Sequence, residues 1–297
     1  MVQKLISVLI ALTFFQFNLR AGSDDTTYLV QKDLKILSWN IFMLPGIVPM
    51  AGRVARAEAI TDTISKLDYD IIVFQEAFHK KAVGKIREGL KNLYPYMYGP
   101  YNQPKDAVHI SSGVWIVSKI PLKELGVIQF KNGRVADKVA LKGAALLEGM
   151  TNGNTFQILG THMQAEDKFP NIRREQFEQI NKELLSVHRK DGVPQIVCGD
   201  MNTRPTENEE YAFMLRTLEA EDGALDGIQK DTYDGTTNKL AEAAWKKAKA
   251  TFDYILLRKN GAEVSSIKRE VSVLRKKWKK NKSDLSDHYG MICELKF

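Results

Sequence analysis

Six short segments of this 297-residue chain carry side chains suited to acid–base or metal chemistry. They are Asn40 in Leu37-Ser-Trp-Asn40, Glu76 in Val73-Phe-Gln-Glu76, His162 in Gly160-Thr-His162, Asp200 and Asn202 in Gly199-Asp-Met-Asn202, Asp253 in Phe252-Asp-Tyr254, and Asp287 and His288 in Leu285-Ser-Asp-His288. Carboxylate and amide oxygens suit Mg²⁺, with Mn²⁺ or Ca²⁺ as the other oxygen-loving candidates. No Cys/His cluster has the spacing of a zinc site. The inventory fits phosphoryl chemistry, in which a cation and protonated groups neutralise phosphate oxygens while a base and a carboxylate orient an attacking water. A histidine near its free pKa suits the base at neutral pH, and a carboxylate partner fixes its tautomer. Singly, each residue has a plainer reading: Asn40 or Asn202 as a turn residue, His162 as a hydrogen-bonded structural histidine. The joint occurrence carries the argument. His79, His109 and His188 match no such pattern and read as surface or loop residues.

Short β-branched apolar runs must position these groups, and several of the runs end in one of them. The patterning predicts strands over 34–40, 71–76, 113–119, 156–162, 195–200, 252–257 and 288–297. Amphipathic helices are predicted over 54–66, 80–92, 172–188, 207–218 and 240–248. Asn40, Glu76, His162 and Asp200 each close a predicted strand, which is where a sheet presents chemistry to a cleft. No repeat or Gly/Ser linker divides the chain, so α/β layers in one domain over 24–297 are expected.

Residues 1–23 read as a signal peptide: Lys4, an apolar run from Leu5 to Phe17, then Ala21-Gly22-Ser23 before polar sequence. A secreted or periplasmic protein is therefore expected. Cys198 and Cys293 both lie in apolar strand-like runs and read as buried free thiols, although a bridge is open if the strands are neighbours. The net charge of +7 is concentrated in one place. Residues 268–282 hold eight basic side chains against Glu270 alone, which accounts for the whole excess. One basic patch on an otherwise balanced chain argues against a face built to track nucleic acid.

Taken in order, the motifs Trp39-Asn40, Gln75-Glu76, Gly160-Thr-His162, Gly199-Asp200-Met-Asn202, Asp253-Tyr-Ile255 and Ser286-Asp287-His288 resemble the endonuclease/exonuclease/phosphatase superfamily, from about Leu34 to the C-terminus. The resemblance implies a deoxyribonuclease-I-like fold, a four-layer α/β sandwich of two packed mixed β-sheets flanked by helices. It also implies roles. Glu76, Asn40 and Asp287 would form the metal side, and Asp200 and Asn202 would hold the water and the transition-state oxygens. His288 would be the base oriented by Asp253, and His162 would donate to the phosphate.

Within the superfamily, Gly160-Thr-His-Met-Gln-Ala-Glu-Asp167 is similar to the corresponding segment of secreted bacterial sphingomyelinases. So are Thr232-Tyr-Asp-Gly-Thr-Thr-Asn238, Glu210 to Leu218, and Ala136-Asp-Lys138 through Lys142-Gly143. The inositol-phosphate 5-phosphatase signature is absent, because Thr203-Arg204-Pro205 follows Asn202. The resemblance implies a secreted, metal-dependent phosphodiesterase that converts sphingomyelin, or a related phospholipid, to ceramide and phosphocholine by water attack on phosphorus. A secreted nuclease is the alternative. The implied partner is a phospholipid membrane surface, with a monomeric enzyme, no stable protein partner, and nucleic acid only under the alternative. Those sphingomyelinases carry an aromatic apolar hairpin ahead of the final Asp-His, whereas here cations surround a single tryptophan. Lys276, Lys277, Trp278, Lys279 and Lys280 are therefore expected to meet an anionic membrane, with the indole at headgroup level.

Overall fold

The computed structural model describes residues 33–48 and 52–297; the predicted signal peptide lies outside them. Along β1 (Leu34–Met43), Leu34 and Ile36 face one way, Leu37, Trp39, Ile41 and Met43 the other, and all six are buried. A strand buried on both faces must sit inside a layered stack, and the rest of the chain supplies the layers. In order follow α1 (Arg53–Ile64), β2 (Ile71–Ala77), α2 (Lys80–Leu90), β3 (Tyr96–Tyr98), β4 (Trp115–Ser118) and β5 (Lys123–Gln129). Next come β6 (Gly143–Thr151), β7 (Asn154–His162), α3 (Pro170–Ile180), β8 (Gln195–Asp200), α4 (Asn208–Leu218), β9 (Tyr233–Asp234) and α5 (Lys239–Ala244). The last are β10 (Lys249–Ala250), β11 (Asp253–Arg258), β12 (Ser266–Ser272), β13 (Arg275–Lys279), β14 (Lys282–Asp284) and β15 (Gly290–Lys296).

Two mixed sheets pack face to face, one ordered β12-β15-β1-β2-β4-β3 and the other β11-β8-β7-β6-β5. The β1–β2 and β7–β8 pairs are parallel and the other pairs within these sheets antiparallel. Ile36, Ile71 and Val73 meet Ile158, Ile196, Cys198 and Ile255 between them. Helices α1 and α2 cover the outer face of the first sheet, with Ile60 and Ile86 against Trp39, Phe74 and Trp115. Helices α3 and α4 cover the second, with Phe177 and Met214 against Leu159, Val197 and Tyr254. The result is the four-layer α/β sandwich that the motifs implied.

The departures from the sequence reading have local causes. β5 escaped detection because most of it is half-exposed, and β6 because it opens Gly-Ala-Ala rather than with β-branched residues. The helix expected over 172–188 starts earlier, at Pro170, and gives way to a π-helical turn over Asn181–Leu185. α5 stops at Ala244, where Trp245 turns extended. His79, read as a surface or loop residue, lies in the loop before α2 and also caps that helix, its Nδ1 accepting from the Ala82 N–H at 3.1 Å.

The basic run needs a correction. It forms a β13–β14 hairpin, and Trp278 faces inward instead of outward. Its indole N–H donates to the Asp284 carbonyl at 2.9 Å, and its ring lies over Gly52, where any Cβ would collide with it. Gly52 also has φ +85, so the position needs glycine twice over. Strand alternation explains the inversion: Lys276 and Trp278 are half-buried and Lys276 pairs with Asp62 of α1, while Lys277 and Lys279 are exposed. Trp278 is thus a packing residue, and the outward charge belongs to Lys277, Lys279, Lys280 and Lys282.

Cys198 and Cys293 are free, and burial pushes both thiols up, Cys293 to about 12. Only thiolates react with disulfide reagents. Neither cysteine should react in the native protein, and both should react once the chain is unfolded in denaturant, as a thiol titration would read. Rapid native labelling would contradict this packing.

Candidate active site

The alternation that builds the inter-sheet core also delivers the site. On β7 the series Phe156, Ile158 continues to His162; on β8 Ile196, Cys198 continues to Asp200; on β11 Leu257, Ile255 runs back to Asp253. On β1 the same face ends at Asn40. These four polar residues therefore close one end of the core. Register aligns them laterally, with His162 opposite Asp200 and Asp200 opposite Asp253. Gly199 permits this spacing, since a Cβ there would strike the Thr161 carbonyl.

Glu76 arrives differently. By alternation it belongs with Ile72 and Phe74 on the helix-facing side of β2, but its φ of +56 breaks the pattern. Its Oε1 accepts from Asn40 Nδ2 at 3.1 Å, and the same amide nitrogen reaches Asp200 Oδ2 at 3.1 Å. A left-handed backbone at a non-glycine residue costs about 1–3 kcal/mol and persists where the surroundings impose it, commonly at functional sites.

His288 Nδ1 lies 2.7 Å from Asp253 Oδ2, a hydrogen bond that orients the imidazole, and its Nε2 is 3.9 Å from Asp200 Oδ2. From the other side His162 Nε2 stands 3.6 Å from the same oxygen. Asn202 donates its backbone N–H to Asp200 Oδ1 at 3.0 Å and its side-chain amide to the Met163 carbonyl at 3.2 Å. Asp287 receives the Ser286 hydroxyl at 3.3 Å, and that hydroxyl also donates to the Asn40 carbonyl at 2.6 Å. The eight catalytic and metal candidates from the sequence thus converge. The basic residues of the hairpin stand apart on β13 and the turn after it.

Electrostatics divide the groups by role. Burial, and then Asp287, push the Glu76 carboxyl up to about 7; burial and Asp253 push Asp200 up to about 6; burial raises Asp287. Burial alone would lower His288, but Asp253, its hydrogen bond, and Asp200 outweigh that and hold the imidazole well above its ordinary range. Burial drives His162 well below the ordinary range, helped by Lys142 and His288, so it is neutral at pH 7.

Glu76 Oε2, Asp253 Oδ1 and His162 Nδ1 are buried and have no hydrogen-bond partner. Native proteins rarely leave such atoms unsatisfied, so three among these clustered residues mark where a ligand completes the structure. The ligating atoms of Asp200, Asp253 and His288 lie within 4.8 Å of one another, a spacing that would gather a cation. The 2.7 Å His288–Asp253 contact, however, is a hydrogen bond that an intervening ion would open. Glu76, with an unpartnered oxygen and a neighbouring carboxylate that resists its ionisation, offers a donor that a cation could use without opening that hydrogen bond. The all-oxygen donor set around it fits a divalent cation.

Sequence reasoning missed the groups that tie these segments together. Arg56, fully buried on α1, donates to the carbonyls of Ile41 at 3.3 Å, Leu285 at 2.8 Å, and Phe42. It fastens the backbone after Asn40 to the backbone before Asp287. Asn238 Nδ2 does the same for Ser286 and Asp287, at 2.8 and 3.2 Å to their carbonyls. Lys142 Nζ, buried, pairs with Asp137 at 2.8 Å and donates to the Met163 carbonyl at 2.8 Å. The Thr232–Asn238 and Lys142-Gly143 motifs hinted at two of them, while nothing in the sequence separates Arg56 from an ordinary helix-surface cation. Arg56→Lys removes the fork that spans several carbonyls, each buried acceptor left bare costing about 1–3 kcal/mol. Urea unfolding should show a loss of about 2 kcal/mol or more, and turnover should fall with it. Unchanged stability and turnover would refute this fastening role.

Comparison with known proteins identifies the family and the fold. The Endonuclease/Exonuclease/phosphatase family model matches residues 37–288. Sphingomyelinase C from Listeria ivanovii is 26% identical over 328 residues, covering 98% of this chain and 96% of that one. Sphingomyelinase C 2 from Leptospira interrogans serogroup Icterohaemorrhagiae serovar Lai (strain 56601) is 31% identical over 254 residues, covering 78% of this chain but only 40% of that longer protein. Among solved structures, a mutant of beta toxin from Staphylococcus aureus with bound magnesium ions superposes with a TM-score of 0.80, at 26% identity, covering 89% of this chain and 99% of that one.

Proposed function

The chain belongs to the endonuclease/exonuclease/phosphatase family and is a phosphodiesterase, and from that premise we propose that it hydrolyses sphingomyelin to ceramide and phosphocholine. The observation that carries the chemistry is the 2.7 Å His288–Asp253 pair beside a Glu76 carboxylate with one oxygen unpartnered. The likeness to sphingomyelinases C supports the substrate.

In this reading Glu76, Asn40 and Asp287 hold Mg²⁺, which when bound supplies Lewis-acid polarisation of a phosphoryl oxygen and offsets the field of the surrounding carboxylates. Asp253 accepts the Nδ1–H of His288, and once the surrounding carboxylates that raise its pKa are neutralised, Nε2 is free to take a proton from water. Asp200 and the Asn202 amide orient that water and the oxygens that gain charge. His162, neutral because it is buried near Lys142, donates a hydrogen bond to the phosphate without adding a cation. The water oxygen bonds to phosphorus, the bond from phosphorus to the ceramide oxygen breaks, and a proton ends on that oxygen.

Export fits the same reading, supported by the apolar run from Leu5 to Phe17. A monomer docks through the outward lysines of the β13–β14 hairpin on an anionic membrane, where each contributes on the order of 1 kcal/mol. A secreted nuclease is the second reading, favoured by the same basic hairpin meeting DNA phosphates. Purified protein with Mg²⁺ should release phosphocholine from sphingomyelin vesicles and leave supercoiled plasmid intact. Plasmid nicking without phosphocholine release would replace the first reading with the second.

A further inference from the structure

A cleft of about 680 Å³ opens between the β13–β14 hairpin and the start of α5, lined by Thr237, Lys239, Arg275, Lys277, Lys282 and Asp284 among others. Its charges are poorly balanced. Asp284 is the acid of the lining, and both its oxygens are engaged, Oδ1 by Arg275 Nε at 2.7 Å and Oδ2 by the Lys239 backbone N–H at 3.0 Å. Arg275 is likewise committed, to Asp284, the Thr237 carbonyl and the Tyr289 hydroxyl. The ammonium groups of Lys239, Lys277 and Lys282 have no carboxylate partner among the described residues; Lys282 instead lies 5.6 Å over the Trp278 ring.

We propose that this cleft binds a lipid headgroup bearing a phosphate monoester, and that it seats the enzyme on membranes displaying one. Three ammonium groups without a carboxylate partner match a dianionic or more highly charged group, whereas a singly charged headgroup leaves most of them unbalanced. The volume lies in the range of small-molecule sites and accommodates a phosphorylated ring headgroup. The wall of the cleft is also fastened to the catalytic strand: Thr237 Oγ1 lies 2.9 Å from the Tyr289 hydroxyl, and Asn238 holds the Ser286 and Asp287 carbonyls. A headgroup in the cleft therefore fixes the active site against the membrane plane. This inference rests on the membrane-docking part of the proposed function and not on the identity of the hydrolysed lipid.

The test compares phosphatidylcholine vesicles containing a phosphatidylinositol monophosphate with phosphatidylcholine–phosphatidylserine vesicles of equal surface charge, by co-sedimentation. Two double variants remove the same charge: Lys239→Gln/Lys282→Gln in the cleft and Lys279→Gln/Lys280→Gln at the hairpin tip. The wild type should prefer the monophosphate vesicles by about tenfold. The cleft pair should abolish that preference, while the tip pair should weaken binding to both vesicles alike and keep it. Equal binding of the wild type to both vesicles, or equal effects of the two pairs, would leave a diffuse charge effect and overturn the cleft site while docking stands. Binding no better than to neutral vesicles would overturn docking itself, and the cleft site with it.

Discussion

His288→Ala is expected to lower kcat by about 10²–10⁴, the usual worth of a positioned general base. The expectation follows from the 2.7 Å bond to Asp253, which leaves one imidazole nitrogen free to accept a proton beside Asp200. Asp253→Asn should fall less but clearly, because the amide cannot stabilise the imidazolium and presents a donor where an acceptor is needed. Since the two act as one unit, the double variant should be little worse than His288→Ala alone. Steady-state kinetics on sphingomyelin micelles read all three. Additive losses would mean that the two residues serve separate steps.

Glu76→Gln should abolish turnover, by about three orders of magnitude or more, and at the same time stabilise the metal-free fold. Folding raises the proton affinity of Glu76 to about 7, of Asp200 to about 6, and of Asp287. A carboxyl with a raised pKa stabilises the fold while protonated and loses that contribution as pH rises through its folded value. His162, shifted down, acts oppositely and costs stability only on the acid side. In EDTA the melting temperature should therefore decline between roughly pH 4 and 7, and Glu76→Gln should decline less. Mg²⁺ takes the place of the protons, so the gain it confers should grow with pH in the wild type and vanish in the variant. Full activity in EDTA, or the same Mg²⁺-dependent gain in Glu76→Gln, would remove Glu76 from the metal site.

How far the sequence carried these conclusions depends on the kind of residue. Asn40, His162 and Asp200 were legible because strand ends are local properties, each being the terminal member of an inward-facing series, whereas Asp253, at the start of its strand, was singled out by the family motif. Glu76 was legible as a strand end and by motif, but its parity points the wrong way, and only the backbone at φ +56 turns it towards Asn40. Arg56 was not legible at all. Its partners are backbone carbonyls as far as 229 positions away, and carbonyls leave no mark in a sequence. Trp278 misled because a lone tryptophan among lysines looks like a membrane anchor until the glycine of another segment, Gly52, is seen to receive it. The hairpin itself was hidden by composition, five lysines in its two strands and turn masking a two-residue alternation.

The central claim is that water, activated at His288, attacks the phosphorus of a phosphocholine diester. The most direct measurement is ³¹P NMR of sphingomyelin hydrolysed by the purified protein in ¹⁸O-enriched water with Mg²⁺. The account predicts phosphocholine carrying one solvent-derived ¹⁸O on phosphorus, seen as its isotope shift, and unlabelled ceramide. Label in the ceramide hydroxyl, or choline released in place of phosphocholine, would contradict it.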